Sequence, residues 1–133
     1  MSPTPTAWIL YIINTAGVPI EGWRAEKILW LADQRAELEC GGDLEWEIWD
    51  YGPRLGNHDW EDFIAAEDVD IYHDRWYRRY YAPVSPTQQI DICQTAEGRE
   101  AVDQYRDWAV ELSFKELISA IRKSYPEWFK EET

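Results

Sequence analysis

The spacing of apolar residues changes period along this chain, and that change restricts the folds open to it. From Trp23 onward, Trp23, Lys27 and Trp30 and the apolar set Ile28, Leu31, Ala32 and Leu38 recur at three- and four-residue intervals. This spacing predicts a helix over Trp23 to Glu39, ended by Gly41-Gly42. Immediately afterwards Leu44, Trp46 and Ile48 alternate with Glu45, Glu47 and Trp49, the two-residue repeat of a half-buried strand. Tyr51-Gly52-Pro53 closes that strand as a turn, Gly permitting an unusual backbone angle and Pro presetting the way into the next element.

The same reading extends to both ends. A polar lead, Ser2 to Thr6, precedes the apolar stretch Ala7 to Ile13, a short buried helix that stops at Asn14 and Gly17. Gly56 to Ala66 has weaker helical spacing, with Trp60, Phe63 and Ile64 on one side and Asn57, His58, Asp59, Glu61 and Asp62 largely on the other. Ile71 to Tyr81 and Gln88 to Gln94 read as the strands of a hairpin whose tip is Ala82 to Thr87, stiffened by Pro83 and Pro86. Thr95 opens an amphipathic helix striped by Ala101, Val102, Tyr105, Trp108, Ala109 and Leu112. Ser113 starts a last helix with Glu116 in the capping-box position and Phe114, Leu117, Ile118, Ile121 and Tyr125 on one face, and Pro126 ends it.

A chain of 133 residues is one domain in size. Apolar residues at 45% and 20 aromatic residues, nine of them Trp, exclude a disordered chain. The longest apolar run, Trp8 to Ile13, is far short of the roughly 18 residues that span a bilayer, and no basic segment precedes it. The expectation is a cytoplasmic protein without a membrane partner. Cys40 and Cys93 stand 53 positions apart and offer neither a disulfide framework nor a CxxC pair. With His58 and His73 they match no zinc-ligand spacing, so no metal and no cofactor is expected. A Gly-rich phosphate loop, a nucleophile elbow and a His-Glu-x-x-His helix are all lacking, and the chain does not read as an enzyme.

Charge is the remaining compositional signal. The chain carries 26 acidic and 13 basic residues, net −13. Residues 1–70 hold 15 acids and four bases, against 11 acids and nine bases in residues 71–133. Only four of the bases are Lys. Such a surface fits a salt-loving host or a basic partner, and it repels nucleic acid wherever it is acidic.

Helix, helix, strand, helix, strand, strand, helix, helix is the layout of a winged helix-turn-helix with an extra strand before the third helix and two C-terminal helices. Specific landmarks strengthen it: Gly17-Val18-Pro19-Ile20-Glu21-Gly22 leading into Lys27-Ile28-Leu29-Trp30-Leu31, then Tyr51-Gly52-Pro53, Gln94-Thr95-Ala96-Glu97-Gly98-Arg99 and Ser124-Tyr125-Pro126-Glu127. In these the chain resembles small archaeal and bacterial winged-helix proteins. The Lys27 helix followed by the Tyr-Gly-Pro turn is similar to the Panacea-type antitoxin domain. The resemblance implies one α+β domain, with a flexible lead over 1–6, a winged-helix unit over 7–95 and a C-terminal helical extension over 96–130.

Three functions compete on this fold. In a DNA-binding transcriptional regulator, Arg75, Arg78 and Arg79 on the first wing strand grip double-stranded DNA while Arg54, Asn57 and His58 approach the groove. By strand parity Arg75 and Arg79 share a face with Tyr77 and Tyr81, and Arg78 lies opposite. The same arginines also suit pairing with the surplus carboxylates, and Asp59, Glu61 and Asp62 on the third helix oppose phosphate. The alternative is an acidic protein-interaction module, antitoxin-like or an adaptor, whose candidate contacts are Trp49, Trp76, Asp59, Glu61 and Asp62. A DNA mimic ranks last because the acids are not regularly spaced. The apolar stripes of the last two helices exceed one small core and point to a homodimer.

Overall fold

The computed structural model describes residues 5–36, 38, 45–56, 69–75, 79–83 and 96–129. In chain order the elements are helix α1 (Pro5–Thr15), strand β1 (Ile20–Glu21), helix α2 (Gly22–Ala36), strands β2 (Trp46–Trp49), β3 (Gly52–Leu55), β4 (Val69–His73) and β5 (Arg79–Pro83), and helices α3 (Ala96–Ala109) and α4 (Phe114–Ser124). A 3₁₀ turn, Pro126–Trp128, follows. The architecture is mixed α+β, with two small antiparallel sheets. No helix among the described residues is long and apolar enough to cross a membrane.

α2 is the hub. Every residue from Arg24 to Ala32 is buried, because α1, α3, β1 and β3 all pack against this helix. α1 contributes Trp8, Ile9, Ile12 and Ile13, whose spacing of one and four places them on one helical face. α3 contributes Ala101, Val102 and Ala109, and α4 contributes Leu117, Ile118 and Ile121 to the same cluster. Most of the last two stripes is therefore taken up by the chain's own core, while Trp108 and Phe114 stay 41% and 40% exposed.

Side chains of α2 also finish its neighbours. Arg24 Nη1 donates to the carbonyls of Ala109 (2.5 Å) and Leu112 (2.6 Å), capping the C-terminal end of α3, while its Nε donates to Glu21 (2.8 Å). Asp33 accepts from the Leu38 N–H (2.8 Å) and from Trp46 Nε1 (2.9 Å), tying the start of β2 to the end of α2. α4 begins as its sequence predicts. Ser113 Oγ accepts from the Glu116 N–H, and the Glu116 carboxylate accepts from the Ser113 N–H.

The first sheet has the order β1-β5-β4. Ile20 lies opposite Tyr81, and Val69 to His73 run antiparallel to Pro83 to Arg79. The hairpin expected over Ile71 to Tyr81 and Gln88 to Gln94 is thereby corrected: the first run alone folds back on itself, His73 at the end of β4 pairing with Arg79 at the start of β5. The reason is the burial of Tyr81, which anchors β5 between β1 and β4 and leaves the polar Asp74 and Arg75 to begin the reversal. Pro83, expected in the tip, ends β5 opposite Val69, a strand-end position that tolerates a residue without an N–H. The shared-face argument for Arg75 and Arg79 falls with the single strand it assumed.

The second sheet pairs β2 with β3, from Trp46 opposite Leu55 to Trp49 opposite Gly52. Here the expected turn shifts. Asp50 and Tyr51 make the reversal, whereas Gly52 and Pro53 already belong to β3. The expected third helix, Gly56 to Ala66, and the expected strand Gln88 to Gln94 lie outside the described residues apart from Gly56.

Candidate interaction site

The β2–β3 hairpin is held against α2 by ionic side chains from consecutive positions. Gly56 N–H donates to the Glu45 carbonyl (2.8 Å), so in the alternating antiparallel pattern the backbone groups of Leu55 and Pro53 face away from β2. An edge of this kind needs partners. Glu26 supplies an acceptor: its Oε1 receives the Leu55 N–H (2.7 Å) and Arg54 Nε (3.1 Å), and its Oε2 receives Arg54 Nη2 (3.0 Å). Lys27 supplies a donor, its Nζ reaching the Pro53 carbonyl at 2.6 Å. Two successive residues of α2 thus fasten three successive residues of β3. Both Glu26 and Lys27 are fully buried.

The turn end of the hairpin is equally constrained. Gly52 has φ +106°, and a Cβ there would lie 3.0 Å from the ring of the buried Phe129. Only glycine satisfies both conditions. Pro53 on one side of it is buried, and Tyr51 on the other faces solvent. Tyr51 is 60% exposed, Ile48 43%, Trp49 41% and Phe114, at the start of α4, 40%. Tyr51 meets Phe114 edge to face at 5.4 Å, Phe114 meets Trp23 in the same way at 4.8 Å, and the Arg54 guanidinium lies 5.1 Å from the centre of the Trp49 ring. Trp49 Nε1 donates to Glu47 (2.9 Å). Between these rings a pocket of about 220 Å³ opens, lined by Lys27, Trp49, Asp50, Tyr51 and Arg54.

Burial pushes the Lys27 amine down to about 8; the Glu26 carboxylate opposes this and Arg54 reinforces it. A folded-state value below that of an ordinary lysine means that, above pH 8, the unfolded chain holds a proton the folded chain has released. Stability therefore rises as the pH increases through that window, and the gain is absent below it. We expect the gain to be on the order of 2 kcal/mol between about pH 8 and about pH 9.5. Urea denaturation across this range, with Lys27→Met as the reference that lacks the dependence, checks it.

The sequence-predicted residues divide between two hairpins. Trp49, Tyr51, Gly52, Pro53 and Arg54 come together on β2–β3. Arg75 lies exposed in the reversal after β4, and Arg79 opens β5 opposite His73, exposed as well. Arg54, expected to approach a DNA groove, instead grips Glu26. Asn57, His58, Asp59, Glu61, Asp62, Trp76 and Arg78 lie outside the described residues. Among the described residues no group of three or more His, Cys, Asp and Glu side chains is placed to hold a metal ion.

Glu26, Lys27, Trp23 and Phe114 were not singled out as site residues. One signal was present: Lys27 occupies the stripe between Trp23 and Trp30, where an apolar residue belongs. A lysine in such a place either reaches out to water or has an internal acceptor. Comparison of the chain with protein-family models, with curated proteins and with solved structures finds no match.

Proposed function

We propose that the chain is a winged-helix protein that works by binding another protein, with the β2–β3 hairpin and the adjoining start of α4 as its docking surface and a basic protein as its partner. The winged-helix reading is supported by the short β1 between the first two helices and by the sheet order β1-β5-β4, in which the last hairpin completes the sheet that β1 begins. The observation that carries the docking surface is the group of exposed aromatic residues formed by Trp49 and Tyr51, on a hairpin clamped by Glu26 and Lys27, and Phe114 at the start of α4. Trp, Tyr and Arg are the residues that dominate interface energies, and rigid presentation lowers the entropy lost on binding. Large apolar groups gathered on one exposed surface mark contact sites.

Charge decides the partner class. Glu47 and Asp50 border the rings and are exposed. Such a face attracts a basic protein and repels nucleic acid. This accords with what the similarity of the Lys27 helix and the Tyr-Gly-Pro turn to the Panacea-type antitoxin domain implies. A DNA-binding role keeps one observation in its favour, the exposed Arg75 and Arg79 at and beside the β4–β5 reversal, where a wing meets the backbone of a duplex.

Affinity capture from host extract with the wild-type chain, the Trp49→Ala/Tyr51→Ala variant and the Arg75→Ala/Arg79→Ala variant separates the two. We expect a basic protein bound by the wild type and by the arginine variant, with affinity for the aromatic variant lower by about 30-fold or more. Loss of capture in the arginine variant alone, with nucleic acid in the eluate, favours the regulator.

A further inference from the structure

We propose that the pocket between Lys27, Trp49, Asp50, Tyr51 and Arg54 is a binding site for a small organic carboxylate, its anionic end on the Lys27 ammonium and its apolar part between the Trp49 and Tyr51 rings. The argument begins with an imbalance. A buried charge needs a counter-charge or a full set of hydrogen bonds. Glu26, the nearest carboxylate in sequence, is already committed to the Leu55 N–H and to two nitrogens of Arg54. Among the described residues the only hydrogen bond of the Lys27 ammonium goes to the neutral Pro53 carbonyl. Of its three donors, two remain, and the residue lines an open pocket.

The walls define the guest. About 220 Å³ lies at the small end of ligand sites and accommodates a group about the size of an aromatic ring bearing a carboxylate. Trp49 and Tyr51 supply flat apolar faces. Asp50 also lines the pocket and is exposed, so its repulsion acts through water, whereas Lys27 acts from a buried position where charges couple more strongly. The guest shares the Trp49 and Tyr51 rings with the docking surface, but the claim rests on Lys27 and does not require the captured protein.

Protonation ties the guest to pH. Among the described residues, Glu26 on α2 and Arg54 on β3 are the charges that act on the Lys27 amine, and Asp50 and Tyr51 in the turn are the other titratable groups lining the pocket. An anion bound beside the amine favours its charged form, so binding weakens as the pH rises above about 8.

The test is an NMR titration of the full chain with four probes: phenylacetate, N-acetylphenylalanine, and their neutral amides. The two acids represent a free small molecule and the end of a protein chain. We expect at least one acid to saturate with a dissociation constant of about 1 mM, shifting the amides of Asp50 to Arg54 and raising the Lys27 titration midpoint by about one pH unit or more. The matching amide should bind at least tenfold more weakly, and which acid binds identifies the source of the carboxylate. Lys27→Met should abolish the preference for acid over amide, and Tyr51→Ala, a surface change, should weaken acid and amide alike. If Lys27→Met fails to fold, the Lys27 titration and the Tyr51→Ala variant decide the matter. Equal binding of acids and amides, absence of saturation, or an unmoved Lys27 midpoint overturns the proposal while leaving the captured protein partner unaffected.

Discussion

Arg54→Ala is expected to lower the stability of the folded chain by about 3–5 kcal/mol, the largest effect of any change near the hairpin. The loss does not come from the exposed part of the arginine. It comes from Glu26, which is fully buried and would keep only the Leu55 N–H as a hydrogen-bond donor. An ionised carboxylate left in that position pays a desolvation cost that the bidentate contact from Arg54 now offsets. Replacing both partners is a different experiment. Glu26→Met/Arg54→Met removes the charge together with its partner and should restore stability to within about 1–2 kcal/mol of the wild type, although Leu55 N–H loses its acceptor. Chemical denaturation of Glu26→Met, Arg54→Met and the double variant closes the cycle. Additivity within about 0.5 kcal/mol would mean that Glu26 and Arg54 do not act as a pair in solution.

Trp30→Ala is expected to cost about 4 kcal/mol. Trp30 is fully buried in α2, and its ring meets Tyr125 edge to face at 4.8 Å and Trp128 at 5.3 Å. Truncation leaves a cavity and also releases the chain after α4 from the core. That chain carries Phe129, whose ring closes against Gly52. The effect should therefore reach the docking surface. Trp30→Phe distinguishes packing from hydrogen bonding: among the described residues the indole Nε1 has no hydrogen-bond partner, so the smaller ring should cost only about 1–2 kcal/mol. Denaturation midpoints measure both variants. Tryptophan and tyrosine side-chain resonances of the hairpin should broaden or move in Trp30→Ala and stay in place in Trp30→Phe.

The helical parts of this fold were legible because their stripes are regular. Ala101, Val102 and Ala109 are buried as their spacing requires, and the Ser113–Glu116 box caps α4 as read. The β4–β5 hairpin was misread for a physical reason. His73, Asp74 and Arg75 contain no Gly or Pro, so the reversal left no turn signature, while the prolines further on drew the tip toward themselves. What places the reversal is the burial of Tyr81, a tertiary constraint that no local pattern carries. The site was half legible. Trp49 was marked as a contact residue because it breaks the alternation of its strand, and Tyr51-Gly52-Pro53 was marked as structural. The clamp beneath them was not, since a glutamate and a lysine side by side on a helix ordinarily face water, and only the exposed edge of β3 explains why these two face inward.

Photo-crosslinking in living host cells tests the docking surface most directly, with the reactive side chain placed at Glu47, exposed and on the same face of β2 as Trp49, in one variant and at Arg75 on the β4–β5 reversal in another. The account predicts a discrete protein adduct from position 47, with a basic partner, and no nucleic-acid adduct from position 75. A nucleic-acid adduct at 75 together with no protein adduct at 47 would contradict it.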